Sequence, residues 1–395
     1  DLASGETVAQ MGAMNPQIAY GEDVISRIHY TNEHASGRPL LQDTVVATLN
    51  EMVSELCGVA GTSPEQVVEA VVVGNTAMHH LFLGLPVEQL GRAPYVPAVG
   101  HALDLRAGDV GLRLAPGAHL YLPPNIAGYV GADHVAMVLA TALAESTQTT
   151  LALDIGTNTE ICLAHRGRLL SCSCASGPAF EGAHIQDGMR AAPGAIERVR
   201  IAGTEVFLHT IGNRPPIGIC GSGILDAVAE MVREDIVDRR GVLQQGRPHV
   251  RANDRTLEFV LAEASRTAHG RDIVVTRRDV NEVQLAKAAI RAGIEVLLAQ
   301  AGIGAGEIAG FIVAGAFGTY LDVRSAIAIG MFPALPQERF RQVGNAAGTG
   351  ARQLLISAER RRAAEDIARR IEYVELTTYP AFATVFLQAM HLATQ

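Results

Sequence analysis

The stretch LALDIGTNTEICL, residues 151–163, interrupts an apolar run with a carboxylate, a glycine and small polar residues. Asp154 ends one apolar segment, and Gly156, Thr157 and Asn158 separate it from the next. Glycine permits a tight turn with a close backbone approach. Backbone N–H groups in such a turn can bind phosphate oxygens, and the carboxylate can bind Mg²⁺ directly or through water. The stretch therefore predicts a phosphate-binding β-hairpin, with an ordinary hairpin and polar turn as the alternative.

The sequence on either side of this hairpin alternates between strand and helix patterns. Short apolar runs at 69–75 and 310–318 predict buried strands, and longer periodic stretches at 134–146 and 283–302 predict helices. Alternation of this kind is typical of the α/β class. We therefore expect mostly parallel sheets with additional antiparallel hairpins.

An internal repeat is visible without gaps between residues 49–74 and residues 290–315. Each copy runs through a helix, a glycine, a short acidic helix start, an apolar strand and a second glycine. Gly61 aligns with Gly302, and Gly74 aligns with Gly315. The shared order of elements predicts a duplication, hence two similar lobes.

The first 17 residues match in type the stretch that follows the Asp154 hairpin. They contain a glycine turn at Gly5, an outgoing strand and a proline-containing break. The equivalent of Asp154 would then lie before Asp1. We therefore expect the first lobe to lack its first strand.

Charge and composition exclude several classes of function. The 395 residues carry a net charge of −9, so a basic surface for nucleic acid is not expected. No apolar run is long enough to span a membrane, and no signal peptide opens the sequence. The one lysine, Lys287, does not lie in a P-loop or on a kinase strand. A nucleotide would need another binding device.

The five cysteines do not predict disulfides or a metal site. Their number is odd and no CxxC motif occurs, although Cys172 and Cys174 would share one face of a strand. We expect buried thiols in a reducing, cytoplasmic environment. His79 and His80 are adjacent, so we expect them to point different ways on a helix and not to share a metal ion.

A second glycine motif ends the strand at 310–318. Gly315, Ala316, Phe317 and Gly318 would let a flat ligand such as adenosine lie against the backbone. A strand-to-helix turn with glycine for packing is the alternative, and the motif alone favours it.

A third motif places small residues at a helix start. Gly221, Ser222 and Gly223 open an amphipathic stretch whose N-terminus could face a phosphate. Tight packing of the helix explains the same residues equally well.

Two further stretches, 128–142 and 344–357, carry small residues at helical spacing. Small residues allow two helices to cross closely. We expect such a pair to form a hinge between the lobes.

The order of these motifs resembles the superfamily of acetate and sugar kinases, heat-shock chaperones and actin. The resemblance covers nearly the whole chain and implies an α/β fold of two ribonuclease-H-like lobes that close on ATP. The lobes would comprise residues 1–147, lacking the first strand, and residues 148–395, which contain the phosphate hairpin and the adenosine motif.

Longer strings narrow the resemblance to the reductive activators of corrinoid proteins. They are NPQIAYGEDVISRI (15–28), VVVGNTAMHHLFLG (71–84), LPPNIAGYVGADH (122–134), LALDIGTNTEI (151–161), CASGPAFEGAHIQDGMRAAPGAIE (174–197) and AGAFGTYLD (314–322). The family implies ATP and Mg²⁺ as cofactors and a corrinoid protein of a methyltransferase system as partner. ATP hydrolysis would accompany reduction of Co(II) to Co(I). A homodimer is left open.

The chain departs from this family pattern at its start. The family normally has an N-terminal ferredoxin-like domain whose [2Fe-2S] cluster supplies the electron, and that cysteine spacing is absent here. We therefore expect the chain to be the ATPase module, with the cluster in an upstream domain absent from these residues.

The resemblance also implies roles for individual residues. Asp154 would anchor Mg²⁺, residues 156–158 would hold the phosphates, and residues 315–318 would border adenosine. Gln284 and Lys287 lie at i and i+3 on one helix face and would reach the ribose or phosphates. A solvated helix lysine is the alternative for Lys287.

Glu181 and His184 complete the set of catalytic candidates with Asp154. Both follow a Gly-Pro break in the string GPAFEGAH and would position the attacking water. Helix capping or a structural role explains them equally well.

Two other functions remain open from the sequence. One is a small-molecule kinase of the same superfamily, which would need an acceptor pocket with a base near the γ-phosphate. The other is a non-catalytic scaffold that binds a corrinoid protein and has lost ATP.

Overall fold

The structure is a computed structural model that describes residues 1–253 and 256–392. The chain divides into two compact units. Unit 1 comprises Asp1–Glu145 and Asn345–Tyr373, and unit 2 comprises Ser146–Gly344 and Val374–Gln395. The two predicted lobes are continuous ranges, whereas unit 1 also includes a segment from late in the chain.

Helices and strands are interspersed along the described residues. In chain order, the helices are α1 (Val24–Glu33), α2 (Gly37–Ala60), α3 (Thr76–Phe82), α4 (Ala132–Ala140), α5 (Gly221–Arg233), α6 (Arg277–Ala301), α7 (Ala316–Tyr320), α8 (Val323–Ala328), α9 (Ala346–Ile356), α10 (Ala358–Arg370) and α11 (Phe382–Ala389). The strands are β1 (Glu69–Val71), β2 (Leu103–Arg106), β3 (His119–Leu122), β4 (Thr150–Ile155), β5 (Thr159–His165), β6 (Arg168–Cys174), β7 (Ala195–Ala202), β8 (Glu205–Thr210), β9 (Gly218–Ile219), β10 (Val250–Asn253), β11 (Thr256–Ala262), β12 (Ile273–Thr276), β13 (Gly310–Ala314), β14 (Phe340–Gly344) and β15 (Ile371–Tyr373).

Unit 1 is built around a small sheet in the order β1-β3-β2, in which β1 is parallel and β2 antiparallel to β3. Helices α4 and α9 cross closely in this unit, as their small residues predict. A Cβ on Gly350 of α9 would lie 2.1 Å from the carbonyl oxygen of Ala136 in α4. Glycine is therefore required where the two backbones touch.

Unit 2 contains a larger sheet in which five strands lie in the order β14-β13-β4-β5-β6. Strand β13 is parallel to β4 and β14, whereas β4, β5 and β6 are successively antiparallel. Two three-stranded sheets, β8-β7-β9 and β10-β11-β12, belong to the same unit. The α/β class is confirmed, but the expectation of mostly parallel sheets is wrong. Tight turns join consecutive strands, and such turns pair them antiparallel.

Helix α6 packs on the large sheet of unit 2. A Cβ on Gly293 would lie 2.3 Å from the sulfur of Cys174 and 2.9 Å from the side chain of Ile161. This contact buries the cysteine face of β6. All five cysteines are free and buried, as expected from their number and spacing.

The internal repeat is present in the three-dimensional structure. Helices α2 and α6 end at Gly61 and Gly302, whose φ angles are 66° and 70°. Each is followed by a short 3₁₀ turn, Pro64–Gln66 or Ala305–Glu307, and then by β1 or β13. The end of the helix, the 3₁₀ turn and the start of the strand in the second copy each lie 241 residues after their counterparts in the first (302 − 61).

Several predicted boundaries need correction. The strand predicted at 69–75 covers only Glu69–Val71, and it is half-buried rather than buried. The helix predicted at 134–146 ends at Ala140, because Ala142 adopts a left-handed conformation with φ of 52°. The strand predicted at 310–318 ends at Ala314, where Gly315 turns the chain into α7.

The long helix predicted at 283–302 begins earlier, at Arg277. Its start is fixed by a capping box. The Thr276 hydroxyl oxygen accepts the Asp279 N–H, and the Asp279 carboxylate accepts both the N–H and the hydroxyl of Thr276. This polar signal lies before the apolar pattern from which the helix was predicted.

The start of the chain differs from its predicted hairpin. Gly5 forms the expected turn, with φ of 73° and a hydrogen bond from its N–H to the Asp1 carbonyl. Within the part of the chain that the structure describes, residues 6–15 form no strand and are mostly exposed, because no neighbouring strand bonds to them. The missing first strand of lobe 1 stays a prediction.

No helix among residues 1–253 and 256–392 is long and apolar enough to cross a membrane.

Candidate functional site

The Asp154 hairpin has the predicted form. Strands β4 and β5 pair as far as Ile155 opposite Thr159, which leaves a loop of three residues, 156–158. The strands are buried almost throughout, so the hairpin is fixed by the core of unit 2. The polar loop lies at its tip, where a ligand can reach the backbone.

The carbonyl groups of this loop are held by the segment after β6. The Ser176 hydroxyl lies 3.1 Å from the Gly156 carbonyl oxygen and 3.2 Å from that of Thr157. The N–H of Gly177 donates to the Thr157 carbonyl at 2.9 Å. Among the described residues, the amides of Thr157 and Asn158 bond to no backbone carbonyl. The loop therefore keeps two N–H donors available for an anion.

Asp154 lies beside this loop as a desolvated carboxylate. The residue is half-buried, and within the described ranges no hydrogen bond or ion pair reaches its side chain. Burial raises its pKa from 3.8 to about 6. A carboxylate in this condition gains most from a bound cation, because desolvation disfavours its charge when no partner is present.

Gly315 places the second glycine motif directly against this carboxylate. Its φ angle is 92°, and a Cβ at this position would lie 2.7 Å from Asp154 Oδ1 and 2.6 Å from the Ile155 carbonyl oxygen. No other residue type fits both the conformation and the space. Gly318 is buried, and a Cβ there would lie 2.9 Å from the Val313 side chain.

Glu181 also reaches the hairpin, since its Oε1 accepts a hydrogen bond from the Thr157 hydroxyl. The neighbouring Phe180 ring stacks on Phe317, with 4.7 Å between centroids and an angle of 7° between ring planes. The structure thus joins the segment after β6 to both the Asp154 hairpin and the glycine motif at 315–318. Ala316 is exposed at the start of α7.

His184 lies three residues after Glu181 in a left-handed conformation, with φ of 64°. Its side chain is about half exposed, and Nδ1 lies 3.9 Å from Glu282 Oε2 in α6. The role of His184 with water stays a prediction.

The third motif is packed against other backbone. A Cβ on Gly221 would lie 1.8 Å from the Phe180 carbonyl oxygen, and one on Gly223 would lie 2.0 Å from that of Ile196. Ser222 is buried beside Cys220. These contacts explain the glycines by packing, and the first eleven residues of α5 are all buried. The predicted amphipathic helix is present at Gly221–Arg233, but its polar face is covered as well as its apolar face.

Gln284 and Lys287 share one face of α6, as predicted, but they bind another segment of unit 2. The Gln284 amide donates to the Met390 carbonyl at 2.8 Å, and the Lys287 ammonium donates to the His391 carbonyl. Lys287 is only 1% exposed, so the solvated-lysine alternative is wrong. Burial lowers its pKa from 10.5 to about 7.

His79 and His80 contact each other, contrary to expectation. Their Nδ1 atoms are 3.3 Å apart, and both residues are buried in α3. His80 Nδ1 donates to the Thr76 carbonyl at 2.7 Å, so its Nε2 accepts from the Ala98 N–H at 2.9 Å. No group of three or more His, Cys, Asp or Glu residues that could hold a metal ion occurs in the described part of the chain.

Family models match both parts of the chain. Residues 148–395 match the C-terminal domain of RACo, the ASKHA domain, and residues 1–146 match the RACo middle region. The chain belongs to the RACo family. The match to the C-terminal RACo domain includes Asp154, Glu181 and Gly315, which the structure brings together.

Three relatives of this RACo chain illustrate the likeness. The corrinoid activation enzyme RamQ of Eubacterium limosum is 36% identical over 98% of the chain. The [Co(II) methylated amine-specific corrinoid protein] reductase of Methanosarcina barkeri is 26% identical over 100% of the chain and 74% of its own length. A solved structure, the reductive activator for corrinoid,iron-sulfur protein, matches with a TM-score of 0.91 and 40% identity over 99% of the chain.

The RACo chain spans slightly less than two thirds of two of these relatives. It covers 66% of RamQ and 63% of the solved activator. The remaining part of each of those two proteins has no counterpart in the matched residues.

Two residues of the candidate site were not predicted from the sequence. Ser176 holds the loop carbonyls, and Phe180 joins the hairpin segment to α7 through its ring. Both lie in the string 174–197, next to Glu181. The sequence signal for both residues was the Gly177-Pro178 pair that follows β6. Such a pair predicts a loop, and the strand before it pairs with the predicted hairpin.

Proposed function

We propose that this chain is the ATP-binding and ATP-hydrolysing module of an activator that reduces a corrinoid protein from Co(II) to Co(I). The names of the curated relatives support the partner, since one is a corrinoid activation enzyme and the other a corrinoid protein reductase. The partner we propose is therefore a corrinoid protein of a methyltransferase system. The Co(I) product accepts the methyl group.

The observation that carries ATP binding is the partnerless carboxylate of Asp154 beside two available amide donors. The carboxylate fits Mg²⁺, and the amides of Thr157 and Asn158 fit phosphate oxygens. Mg²⁺ usually takes one or two carboxylates together with substrate phosphates and water. A single aspartate is therefore sufficient for a metal that arrives with its nucleotide.

Glu181 is the proposed group for orienting the attacking water. Its carboxylate is exposed and is held at the loop by the Thr157 hydroxyl. Water oxygen would bond to the γ-phosphorus as the bond to the bridging oxygen breaks, which gives ADP and phosphate. His184 is the second candidate for this task. Positioning and charge stabilisation supply most of the catalysis in phosphoryl transfer.

Domain roles follow from the same proposal. We assign residues 1–147 and 148–395 to two ribonuclease-H-like lobes, of which the second carries the phosphate hairpin. The [2Fe-2S] cluster that supplies the electron belongs, in this proposal, to a ferredoxin-like domain outside these residues.

ATP is needed because reduction to Co(I) is strongly uphill for a [2Fe-2S] donor. A ligand moves an equilibrium only through different affinities for its two states. We propose that the ATP-bound form binds best the corrinoid protein whose cobalt ligation favours Co(I). Hydrolysis then releases that complex.

The test uses the full-length protein and its corrinoid protein. We expect Mg²⁺-ATP binding by calorimetry and ATP turnover that rises when the corrinoid protein is added. Asp154→Asn should weaken Mg²⁺-ATP binding by about 100-fold, because the metal loses its anchor. Asp109→Asn, at an exposed position in unit 1, is the matched control and should change nothing.

Two results would contradict the proposal. Unchanged Mg²⁺-ATP affinity in Asp154→Asn would show that Asp154 does not anchor the metal. Turnover that responds to a sugar or a carboxylic acid, and not to the corrinoid protein, would favour the small-molecule kinase.

A further inference from the structure

Residues 182–188 form a small loop whose two ends touch. A Cβ on Gly188 would lie 2.0 Å from the Gly182 carbonyl oxygen. A Cβ on Gly182, whose φ is 82°, would lie 2.3 Å from the Met189 carbonyl oxygen. Only glycine permits so close an approach of two backbones, so the loop is closed by its own chain.

Three consecutive residues fix this loop to the rest of unit 2. Ile185 is buried in the core, and the N–H of Gln186 donates to Asp279 Oδ1 at 2.8 Å. Asp187 Oδ2 accepts the N–H of Val274 at 2.8 Å. The loop is therefore a rigid support for the residue that precedes these three.

That residue, His184, has a strained backbone and a half-exposed side chain. Its φ of 64° lies in the left-handed region, which costs free energy for any residue other than glycine. The loop around it supplies the contacts that hold this conformation. Such strain at a chemically active side chain is typical of functional sites.

His184 also lies near the Asp154 hairpin. The carboxylate of Glu181, three residues earlier, accepts a hydrogen bond from the Thr157 hydroxyl at the tip of the hairpin. Three residues of chain span at most about 11 Å. A phosphate group bound at the hairpin loop would therefore lie close to the imidazole.

Helix α6 places a second carboxylate beside this imidazole. Glu282 Oε2 lies 3.9 Å from His184 Nδ1. The helix is held against the loop by the bond from Gln186 to Asp279, less than one turn before Glu282. The separation exceeds a hydrogen bond, but contacts of this kind are often long in a ligand-free site and shorten when the ligand binds.

The position of Glu282 selects one form of the imidazole. A carboxylate that faces Nδ1 favours the tautomer with its proton on Nδ1. In that tautomer Nε2 has a free lone pair and can accept a hydrogen bond. A carboxylate, an imidazole and a nucleophile in this order form a recurring arrangement for activating a hydroxyl group.

We propose that Glu282 positions His184, and that His184 Nε2 accepts the proton of the water that attacks the γ-phosphate. The inference rests on the proposed function and adds a positioning residue to it. Glu181 orients the water. As the water oxygen bonds to phosphorus and the bond to the bridging oxygen breaks, the water proton passes to Nε2 and ADP leaves. The imidazolium faces Glu282 and then releases its proton to solvent.

The first test reads the tautomer of His184 in the full-length protein labelled with ¹⁵N-histidine. Neutral imidazole in water favours a proton on Nε2, whereas we expect His184 to carry it on Nδ1. The variant His184→Asn identifies the signals by their loss, and asparagine tolerates the left-handed conformation. Glu282→Ala should return the ring to the tautomer found in water.

The second test compares ATP turnover with Mg²⁺-ATP affinity. His184→Asn should lower the turnover number about 100-fold and keep the affinity within about twofold of wild type. Glu282→Ala should lower turnover about 10-fold. The double variant should be no slower than His184→Asn, because Glu282 acts only through His184.

Glu295→Ala is the matched control on the same helix. Glu295 is also a half-buried carboxylate of α6 in an ion pair, with Arg291 at 2.7 Å. Its removal should change neither the turnover of ATP nor the tautomer of His184.

Three results would overturn the inference and leave the Asp154 site standing. They are wild-type turnover in His184→Asn, a further loss of turnover in the double variant, and an unchanged His184 tautomer in Glu282→Ala. Absence of ATP turnover in the wild-type protein with its corrinoid protein would overturn the proposed function together with this inference.

Discussion

The ends of two equivalent strands show how one scaffold serves two purposes. In unit 1, β1 leads to Gly74 and then into α3. There Asn75 caps the helix by accepting the Met78 N–H at 2.8 Å, and the Thr76 hydroxyl donates to the Ala127 carbonyl at 2.6 Å. The start of α4 closes over this turn, since a Cβ on Gly131 would lie 2.4 Å from the Gly74 carbonyl oxygen.

In unit 2, β13 leads to Gly315, the counterpart of Gly74, but the polar groups at this turn are not bonded to the protein in the same way. Gly315 faces Asp154, whose carboxylate has no side-chain partner in the part of the chain that the structure describes. The nearby amides of Thr157 and Asn158 are available as well. The same turn thus has its polar groups bonded within the protein in one copy, whereas in the other copy the described residues offer them no partner.

Of the two equivalent turns, the one at Gly315 is therefore the candidate ligand site, because its polar groups lack protein partners among the described residues. Native proteins pair nearly all buried polar groups, so an exception needs an explanation. Violations of local consistency concentrate at functional sites.

The largest expected difference in stability and nucleotide affinity comes from substituting the two equivalent glycines, Gly315 and Gly74. Gly315→Ala would place a Cβ against Asp154 and Ile155 at a φ of 92°. We expect a loss of about 2–4 kcal/mol in unfolding free energy and more than about 100-fold in Mg²⁺-ATP affinity. Chemical denaturation and calorimetry measure the two.

Gly74→Ala is the matched control, because its Cβ would meet only the Met78 side chain at 3.7 Å. We expect a change below about 0.5 kcal/mol. Equal losses of unfolding free energy in Gly315→Ala and Gly74→Ala would show that the two turns are packed alike, which would contradict the comparison.

The second prediction concerns how much the desolvated carboxylate of Asp154 lowers the free energy of unfolding. Because burial raises the pKa of Asp154 to about 6, its ionised form is less favourable in the folded protein than in the unfolded chain. The penalty is absent below about pH 4, grows between pH 4 and 6, and is full above pH 6. Asp154→Asn should therefore stabilise the ligand-free protein by about 2–3 kcal/mol at pH 7.5.

Amide hydrogen exchange in β4 and β5 can measure this local gain. Asp109→Asn should leave the exchange rates as they are. Slower exchange in Asp154→Asn at pH 7.5 that persisted unchanged at pH 4 would contradict the assigned cause.

The third prediction gives unit 1 the opposite dependence on pH. Burial, followed by the nearby His80, lowers the pKa of His79 from 6.5 to about 4. The unfolded chain then takes up the proton first, so stability is lost as pH falls from about 6.5 towards 4. We expect α3 to lose about 2 kcal/mol of protection between pH 7.5 and 5.

His79→Leu should remove most of this loss, whereas His29→Leu, at an exposed position of α1, should not. Hydrogen exchange of α3 at the two pH values measures it. An α3 equally protected at pH 5 and 7.5 in the wild type would contradict burial as the source of the shift.

The smallest effect concerns the serine that holds the loop. Ser176→Ala should cost about 1 kcal/mol in unfolding free energy, because the two loop carbonyls lose the one hydroxyl donor that lies near both. Mg²⁺-ATP affinity should fall about tenfold as the loop amides lose their fixed direction. Thr76→Ala, the removal of a comparable hydroxyl bond in unit 1, should cost similar stability but leave affinity unchanged.

The parts of this molecule that depend on nearby residues could be predicted from the sequence. The hairpin around Asp154 follows from apolar runs on both sides of a polar turn. The repeat follows from Gly61 and Gly302, whose left-handed conformations end two equivalent helices. Local pattern fixes both features, so no distant contact was needed.

The parts that depend on distant residues could not be predicted in this way. Lys287 and Gln284 bind carbonyls 104 and 106 residues later in the chain, and no local pattern shows this. The cavity of about 710 Å³ between β7, β8, α5 and α8 likewise depends on a helix and a hairpin meeting in three dimensions.

The bracing of the hairpin by Ser176 and Gly177 has a consequence for the thermodynamics of association. A loop whose peptide planes are already oriented loses little conformational entropy when an anion arrives. We therefore expect anion association to be limited by diffusion and charge rather than by rearrangement of the loop.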